Sequence, residues 1–334
     1  MMSRRRILFP FPSTASVYTI QAVTSKTIVL VSPHGFCAGV ERAVAMAEAL
    51  LQKQPRPLYC LRQIVHNTQI IEDLAGRGLV FVNDIREIPR GATVLFSAHG
   101  VSPAVRETAT VLNLDVVDAT CPFVTKVHLE VKRFAAKGYS IVLVGHRAHD
   151  EIVGVAGEAP DRVIVVENED AASRAEVPEP SKVAVITQTT ISLDDAERVL
   201  SVLRKRFPGL RTPPQKDICY ATRNRQQAVR EVAPRVEAFI VLGARNSSNS
   251  NRLVEMAKAQ GCPAYLASTV SELDSLPLDA VRSLGLTAGA STPEYVVHEA
   301  IERLKTKGFD RVEEIAVVKE DLHFSLPTGV KAAE

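Results

Sequence analysis

Short apolar runs rich in Val and Ile alternate with longer amphipathic stretches along this chain, and this alternation limits the possible folds more than any other feature. Thr27–Ser32 reads TIVLVS, which is typical of a strand buried in a parallel sheet. Val40, Val44 and Leu51 then recur at helical spacing and predict a helix over 38–53. Because the same rhythm continues to about residue 308, the sequence predicts an α/β fold with mainly parallel sheets.

The other elements are predicted from the same periodicities and from capping residues. Further strands are expected at 58–65, 79–82, 93–97, 116–117, 140–144, 163–166, 183–186, 239–242, 264–266 and 283–287. Further helices are expected at 68–75, from 103 onward, at 122–137, 192–207 and 221–232, in a stretch ending near 261, and at 294–308. The tail, 312–327, alternates like an edge strand before it becomes polar.

Composition and charge exclude several classes of protein. The 334 residues suffice for two or three domains, and a net charge of +2 does not suggest a nucleic-acid partner. No apolar run approaches the roughly 18 residues of a membrane span. Five widely spaced cysteines do not form a secreted disulfide framework, so we expect a cytoplasmic protein. Residues 1–26 lack acids and are expected to be a disordered extension; an organelle transit peptide is the alternative.

Three cysteines lie at comparable places in the predicted elements. Cys37, Cys121 and Cys219 each follow an extended stretch and open a helical one, at separations of 84 and 98 residues. A helix N-terminus favours the thiolate, the form that binds metal, so a shared iron–sulfur cluster or Zn²⁺ is one interpretation. The alternative is three small buried hydrophobic side chains, the role that we expect for Cys60 and Cys262.

Polar side chains collect just beyond the predicted strands. His66, His99 and His149 together would give a basic lining for an anion, although each alone could be structural. The run 246–251 is dense in Ser and Asn at a helix start, and Ser291 lies at a similar turn. Plain N-capping is the alternative for these side chains. The chain has no P-loop and no dinucleotide-binding motif, so the pattern suits a small diphosphate held without a nucleotide fold.

A carboxylate and a hydroxyl complete the set of candidates. Glu151 follows His149 by two residues in a predicted loop, where it could donate protons or simply be a solvated acid. Thr189 could orient a substrate or a proton, or cap the next helix. No role is assigned to the remaining histidines, which are His34, His128, His146, His298 and His323.

These residues lie in long motifs that resemble the 4-hydroxy-3-methylbut-2-enyl diphosphate reductase family, also called LytB or IspH. The motifs are GFCAGVERAV, IVHN, FSAHGVS, DATCPFVTKVH, GHRAHDE, TQTT, DICYATRNRQ, NSSNSNRL and TAGAS. They occur in the family's order and cover about 28–327.

The resemblance implies three pseudo-symmetric α/β domains around a central [4Fe–4S] cluster, with Cys37, Cys121 and Cys219 as ligands and one open iron. It implies that the substrate loses its hydroxyl with two electrons and two protons, giving isopentenyl and dimethylallyl diphosphates and water. This is the last step of the methylerythritol phosphate route to isoprenoids. Ferredoxin or flavodoxin is the implied electron donor.

The resemblance also implies residue roles and domain ranges. Glu151 is expected to supply protons, with His149 and Thr189 in the same network. The diphosphate pocket is expected to consist of His66, His99, His149, Ser247, Ser248, Asn249 and Ser291. The strand and cysteine of 27–38 are expected to pack with the last domain. The other ranges are 39–121, 122–216 and 217–311 for the three domains, with 312–334 as a tail.

The chain departs from the family pattern at two positions. His34 stands where Arg usually precedes Gly-Phe-Cys, and Asp150 stands where Pro usually separates His149 from Glu151. Losing that Pro removes a restraint on φ and is expected to loosen the loop that carries Glu151. Both departures are expected to affect the turnover rate rather than the type of reaction. Three other functions remain open: a non-redox hydro-lyase with the same open iron, a zinc protein with three cysteine ligands, and a metal-binding sensor without turnover.

Overall fold

The structure, a computed structural model, describes residues 25–53, 57–214, 217–327 and 330. The expected disorder of 1–26 therefore concerns residues that lie almost wholly outside the described part of the chain. The loop over 208–216, which ends the predicted domain of 122–216, is described as far as residue 214.

The strands of the described residues are β1 (Thr27–Ser32), β2 (Leu58–Leu61), β3 (Leu79–Val82), β4 (Thr93–Phe96), β5 (Asp115–Asp118), β6 (Ser140–Val144), β7 (Val163–Val166), β8 (Val183–Thr187), β9 (Ala238–Leu242), β10 (Ala264–Ala267), β11 (Ser283–Ala288) and β12 (Arg311–Ala316). The α-helices are α1 (Ala38–Lys53), α2 (Thr68–Gly76), α3 (Pro103–Val111), α4 (Pro122–Ala136), α5 (Asp150–Ala156), α6 (Glu169–Arg174), α7 (Leu193–Arg206), α8 (Tyr220–Val232), α9 (Ser248–Ala259) and α10 (Glu294–Lys305). No helix in these ranges is long and apolar enough to cross a membrane.

The strands form three sheets whose paired strands all run parallel, which confirms the predicted fold class. The five-stranded sheet has the order β10-β9-β11-β1-β12, the four-stranded sheet β3-β2-β4-β5 and the three-stranded sheet β7-β6-β8. All residues of β6, β8 and β9 are buried, because helices cover both faces of their sheets. This explains why these strands read as unbroken apolar runs.

At each of the three cysteines the chain changes sheets. The segment before the cysteine belongs to one sheet, and the helix after it packs against another. Cys37 follows β1 of the five-stranded sheet, yet α1 packs against the four-stranded sheet through Met46 and Leu50. Cys121 follows β5, and α4 packs against the three-stranded sheet through Val127 and Val131. The helix α8, after Cys219, packs against β1 and β9 of the five-stranded sheet. The three cysteines therefore lie where the chain passes from one sheet to another.

Most elements agree with the sequence patterns, and the differences have local causes. The predicted strand 58–65 ends at Leu61, because Arg62 takes a left-handed backbone conformation with φ of 59°. The short helices α5 and α6 were missed, since seven and six residues are too few to show a helical period. The tail contributes β12 at the edge of the five-stranded sheet, as its alternation predicted. The domain ranges inferred from the resemblance remain a prediction.

Candidate active site

One cavity, partly open to solvent, brings the candidate residues together. It lies where carboxyl ends of strands from all three sheets meet the helix N-termini beyond them, the place where α/β folds collect ligands. The predicted site residues that line it are Cys37, His66, His99, Cys121, His149, Glu151, Thr189, Cys219, Ser247, Ser248, Asn249 and Ser291.

The backbone of each cysteine is fixed by a hydrogen bond to another strand-to-helix turn of the same cavity. The Cys37 N–H donates to the Ala290 carbonyl at 3.1 Å, and the Cys121 N–H donates to the Ala98 carbonyl at 3.0 Å. The Cys219 N–H donates to the carbonyl of Thr189 at 3.1 Å. The three thiols are thus held by equivalent bonds, although the surrounding sequences share little.

A glycine makes room for the sulfur atoms. A Cβ added at Gly39 would lie 2.5 Å from Cys121 Sγ and 3.9 Å from Cys37 Sγ. All three cysteines are free thiols, so no disulfide competes for the sulfur atoms. A set of thiolates from three separate elements suits an iron–sulfur cluster or Zn²⁺. The residues present therefore fit a thiolate-bound metal centre.

Burial outweighs the helix dipole at the thiols of Cys121 and Cys219. Burial, together with a smaller contribution from the nearby Cys37, raises the pKa of Cys121 to about 12 and that of Cys219 to about 11. The N–H groups at the helix starts lower the pKa of Cys121 and Cys219, as the sequence predicts, but burial raises it by more. A metal must displace their protons to bind.

The three histidines form a compact group on one side of the cavity. The rings of His66 and His99 stack at 4.1 Å, and the ring of His149 meets both edge-on at 5.2 and 5.4 Å. The Nδ1 of His149 accepts a hydrogen bond from the Glu151 N–H at 3.1 Å, so a neutral His149 carries its proton on Nε2. Ser291 Oγ donates to the carbonyl of His66 at 2.8 Å.

Burial makes the three histidines weaker bases than exposed histidines. Burial lowers the pKa of His66, lowers that of His149 to about 4, and lowers that of His99 well below its usual range. Proximity to His66 lowers the pKa of His99 and His149 further. The lining is therefore less basic than three exposed histidines would be, and an anion would favour protonation of the same rings.

Glu151 is a buried residue of α5 and not a loop acid. Its exposed fraction is 1%, which rules out the solvated alternative. Its Oε1 accepts from the Thr189 N–H and its Oε2 from Thr189 Oγ1, both at 2.7 Å. Burial raises the pKa of Glu151, and the two hydrogen bonds only partly oppose that rise. This carboxyl is consequently suited to hold and give up a proton.

The start of α9 presents polar atoms that have no partner within the described protein. They are Ser248 Oγ and both amide atoms of Asn249, and His99 Nε2 is in the same state across the cavity. Ser247 is different, because it is the N-cap and its Oγ accepts from the Ser250 N–H at 3.3 Å. The capping alternative therefore holds for Ser247 but not for Ser248 or Asn249. Buried polar atoms without hydrogen-bond partners lower the stability of a protein. Such atoms are expected in a binding site, where the ligand provides the missing partners.

Two features of the site did not emerge from the sequence. Thr222 lines the cavity and its N–H donates to Cys219 Sγ at 3.4 Å; its position three residues after a helix-capping cysteine was the available signal. Tyr220 also lines the cavity, with its hydroxyl accepting from the Ala38 N–H at 3.1 Å. No local pattern connects positions that are 182 residues apart.

The two departures from the family pattern lie outside the lining of this cavity. His34 Nδ1 lies 3.2 Å from the Val31 carbonyl oxygen, and its Nε2 lies 3.4 Å from Glu294. Asp150 is the first residue of α5 and forms an ion pair with Arg62. The loop expected to loosen around Glu151 is instead a helix.

Comparison with known proteins shows the family. The pattern that defines the family described as LytB protein matches residues 28–305. The chain belongs to the LytB family. A relative from Nocardia farcinica, named 4-hydroxy-3-methylbut-2-enyl diphosphate reductase, is 48% identical over 319 residues, which is 95% of each chain. A relative of the same name (reductase 2) from Mycobacterium tuberculosis strain H37Rv is 46% identical over 97% of each chain.

Solved structures of such reductases share the fold. The E-1-hydroxy-2-methyl-but-2-enyl-4-diphosphate reductase from Plasmodium falciparum superposes with a TM-score of 0.88 and 35% identity, over 92% of this chain and 97% of that one. A second structure, titled as the terminal enzyme of the non-mevalonate pathway, gives a TM-score of 0.60 and 32% identity. It covers 84% of this chain and 99% of that one.

Proposed function

We propose that this cavity is the active site of a 4-hydroxy-3-methylbut-2-enyl diphosphate reductase, the name that the relatives carry. The chain is then an enzyme of isoprenoid synthesis that forms isopentenyl and dimethylallyl diphosphates. One observation supports this most strongly. Three free thiols from three separate elements open into the same cavity as a buried Glu151–Thr189 pair and unpartnered polar atoms suited to an anion.

Cys37, Cys121 and Cys219 are the proposed ligands of one [4Fe–4S] cluster. When bound, the cluster would supply single electrons and one iron without a protein ligand. The geometry favours a cluster over one Zn²⁺. Two sulfur ligands at about 2.3 Å from one ion are at most about 4.6 Å apart. Among the described residues, the potential ligand atoms that all lie within 4.8 Å of one another belong to the three histidines and not to the three cysteines.

The diphosphate is proposed to lie between the histidines and the start of α9. His99 Nε2, Ser248 Oγ and the amide of Asn249 are the groups without partners there. The free N–H groups at the N-terminus of α9 favour anions in the same place. His66, His149, Ser247 and Ser291 complete the proposed pocket.

Glu151 is the proposed proton donor. A proton on Oε2 would reverse its hydrogen bond to Thr189 Oγ1, so that the threonine hydroxyl could pass a proton into the cavity. The second carboxylate oxygen stays fixed by the Thr189 N–H. His149 is tied to the same unit, because its Nδ1 caps the helix that carries Glu151.

The electron donor is proposed to be ferredoxin or flavodoxin, and the compartment the cytoplasm. The donor follows from the family resemblance alone, and the compartment from five widely spaced cysteines without a disulfide framework. The reaction consumes two electrons, so a one-electron donor must act twice.

The test is the iron, sulfide and zinc content of anaerobically purified protein together with its visible spectrum. We expect about four irons and about four sulfides for each chain and a brown protein. Zinc in place of iron would establish a non-redox metal protein. A full cluster without conversion of the diphosphate in the presence of a strong reductant would indicate a sensor. Conversion without any reductant would indicate a hydro-lyase.

A further inference from the structure

The chain that follows β12 runs across the region where the cysteine-bearing segments meet. We call residues 317–327 the C-terminal strap. It starts beside β1, where the Val317 N–H donates to the carbonyl of Ser32 at 3.1 Å. Near its other end, Leu326 packs against the core formed by α1 and the four-stranded sheet. The strap thus joins the five-stranded sheet to the four-stranded sheet.

A buried arginine links this strap to two of the cysteine segments. Arg225 is 1% exposed, and its Nη2 donates to the carbonyl of Gly35 at 2.8 Å, two residues before Cys37. Its Nη1 donates to the carbonyl of Ala221 at 3.2 Å, two residues after Cys219.

Glu320 of the strap supplies the carboxylate that faces this guanidinium. The Nη1 of Arg225 lies 3.2 Å from each oxygen of Glu320. The Nδ2 of Asn224 also donates to Glu320 Oε1, at 2.9 Å. A buried guanidinium without a counter-charge is strongly unfavourable, so the position of Arg225 depends on the strap.

Aromatic contacts extend the link to the third cysteine. The ring of Phe324 in the strap meets the ring of Phe123 edge-on at 6.0 Å, and Phe123 is two residues after Cys121. Phe123 in turn lies 5.5 Å from the ring of Tyr220, whose hydroxyl accepts from the Ala38 N–H. Cys37, Cys121 and Cys219 therefore each have a near neighbour in sequence that contacts the strap, Arg225 or Tyr220.

We propose that Arg225 and Glu320 are positioning residues for the thiols of Cys37 and Cys219, and that the C-terminal strap, which reaches the Cys121 segment through Phe324 and Phe123, holds the metal centre together. The part that concerns the metal rests on the proposed function; the part that concerns the thiols does not. The side chains act through backbone carbonyls and rings next to the cysteines, and they do not touch the reacting atoms.

The test compares Glu320→Gln with Asp321→Asn, its neighbour in the strap. Asp321 is an exposed acid whose ion-pair partner, Lys319, is also exposed, so its loss should change little. In iron-free protein, iodoacetamide modification followed by peptide mass analysis reports each thiol. We expect Cys37 and Cys219 to react several-fold faster in Glu320→Gln than in Asp321→Asn. Cys262 reports global loosening and should react at the same rate in both.

The loaded protein gives an independent readout. We expect the visible absorbance of Glu320→Gln to decay several-fold faster in air than that of Asp321→Asn, and the EPR signal of its reduced form to shift. Glu320→Asp keeps the negative charge, so its absorbance decay and its EPR signal should lie between those of Glu320→Gln and wild type.

Equal thiol reactivity in Glu320→Gln and Asp321→Asn would overturn the proposal. So would an equal acceleration at all five cysteines, which would show general destabilisation rather than positioning. Thiol reactivity is measured without metal or substrate. If wild-type protein fails to reduce the diphosphate, the proposed function fails while this test keeps its meaning.

Discussion

At the scale of the residue, Glu151 combines a cost in stability with a gain in chemistry. Its carboxyl is buried and its pKa is raised above that of an exposed glutamate, about 4.3. A carboxyl with a raised pKa in the folded state binds its proton more tightly there than in the unfolded chain. The folded protein therefore loses stability as the pH rises from the pKa of Glu151 in the unfolded chain to its raised pKa in the folded state.

We predict that Glu151→Gln lowers turnover by roughly 10²- to 10⁴-fold, the usual contribution of a positioned proton donor. The same variant should be more stable than wild type at high pH, because Gln can accept from the Thr189 N–H through its Oε1 and donate to Thr189 Oγ1 through its Nε2 without a buried charge. Melting temperatures of the iron-free proteins check this, with an expected gain of about 2 °C at about pH 8 that shrinks at about pH 5. Unchanged turnover would remove the role assigned to Glu151.

The histidines lead to a prediction with a definite sign. Their pKa values are lowered in the empty cavity, and a bound diphosphate would raise them by charge. Binding should therefore take up protons, and affinity should fall as the pH rises from about 4, the pKa of His149 before binding, to the raised pKa of the complex. Calorimetry of inorganic diphosphate binding in two buffers of different ionisation enthalpy measures the uptake. Wild type should take up more protons than His149→Gln; equal uptake would contradict the account.

At the scale of the element, the first turn of α1 shows a conflict between helix propensity and packing. Alanine is normally better than glycine inside a helix by about 1 kcal/mol. At Gly39, however, a Cβ would lie 2.5 Å from Cys121 Sγ. The glycine is thus explained by the neighbouring thiol and not by the helix.

We predict that Gly39→Ala lowers the iron content of the purified protein strongly while the chain stays folded. Gly76→Ala is the matched control, because a Cβ at this helical glycine meets no atom within 4 Å. Circular dichroism and iron analysis of both variants check the prediction. Full iron content in Gly39→Ala would mean that Cys121 Sγ can move aside without effect on the metal centre.

The same scale shows what the sequence could predict. The cysteines, histidines and Ser291 were placed at strand-to-helix turns by local patterns, because apolar runs and capping residues mark those turns. The helix α5 was missed because its seven residues contain too little periodicity, so Glu151 was assigned to a loop. Its burial depends on Thr189, which lies 38 residues away in sequence and leaves no local signal.

At the scale of the whole molecule, the cavity exists only where the three sheets meet. Each cysteine lies at a passage from one sheet to another, and each is fixed by a hydrogen bond to a distant turn. The protonation of the thiols and histidines follows from this burial. The helix starts alone do not predict this protonation. They favour the thiolate, whereas burial favours the protonated thiol at Cys121 and Cys219.

The central claim is that this site removes a hydroxyl by adding two electrons and two protons. It is tested most directly by counting electrons. Anaerobic protein is mixed with excess 4-hydroxy-3-methylbut-2-enyl diphosphate and titrated with a reduced one-electron donor, and the isopentenyl and dimethylallyl diphosphates are quantified. We expect no product without donor and one product molecule for every two electrons consumed. Product without consumption of donor, or donor oxidised without product, would contradict the account.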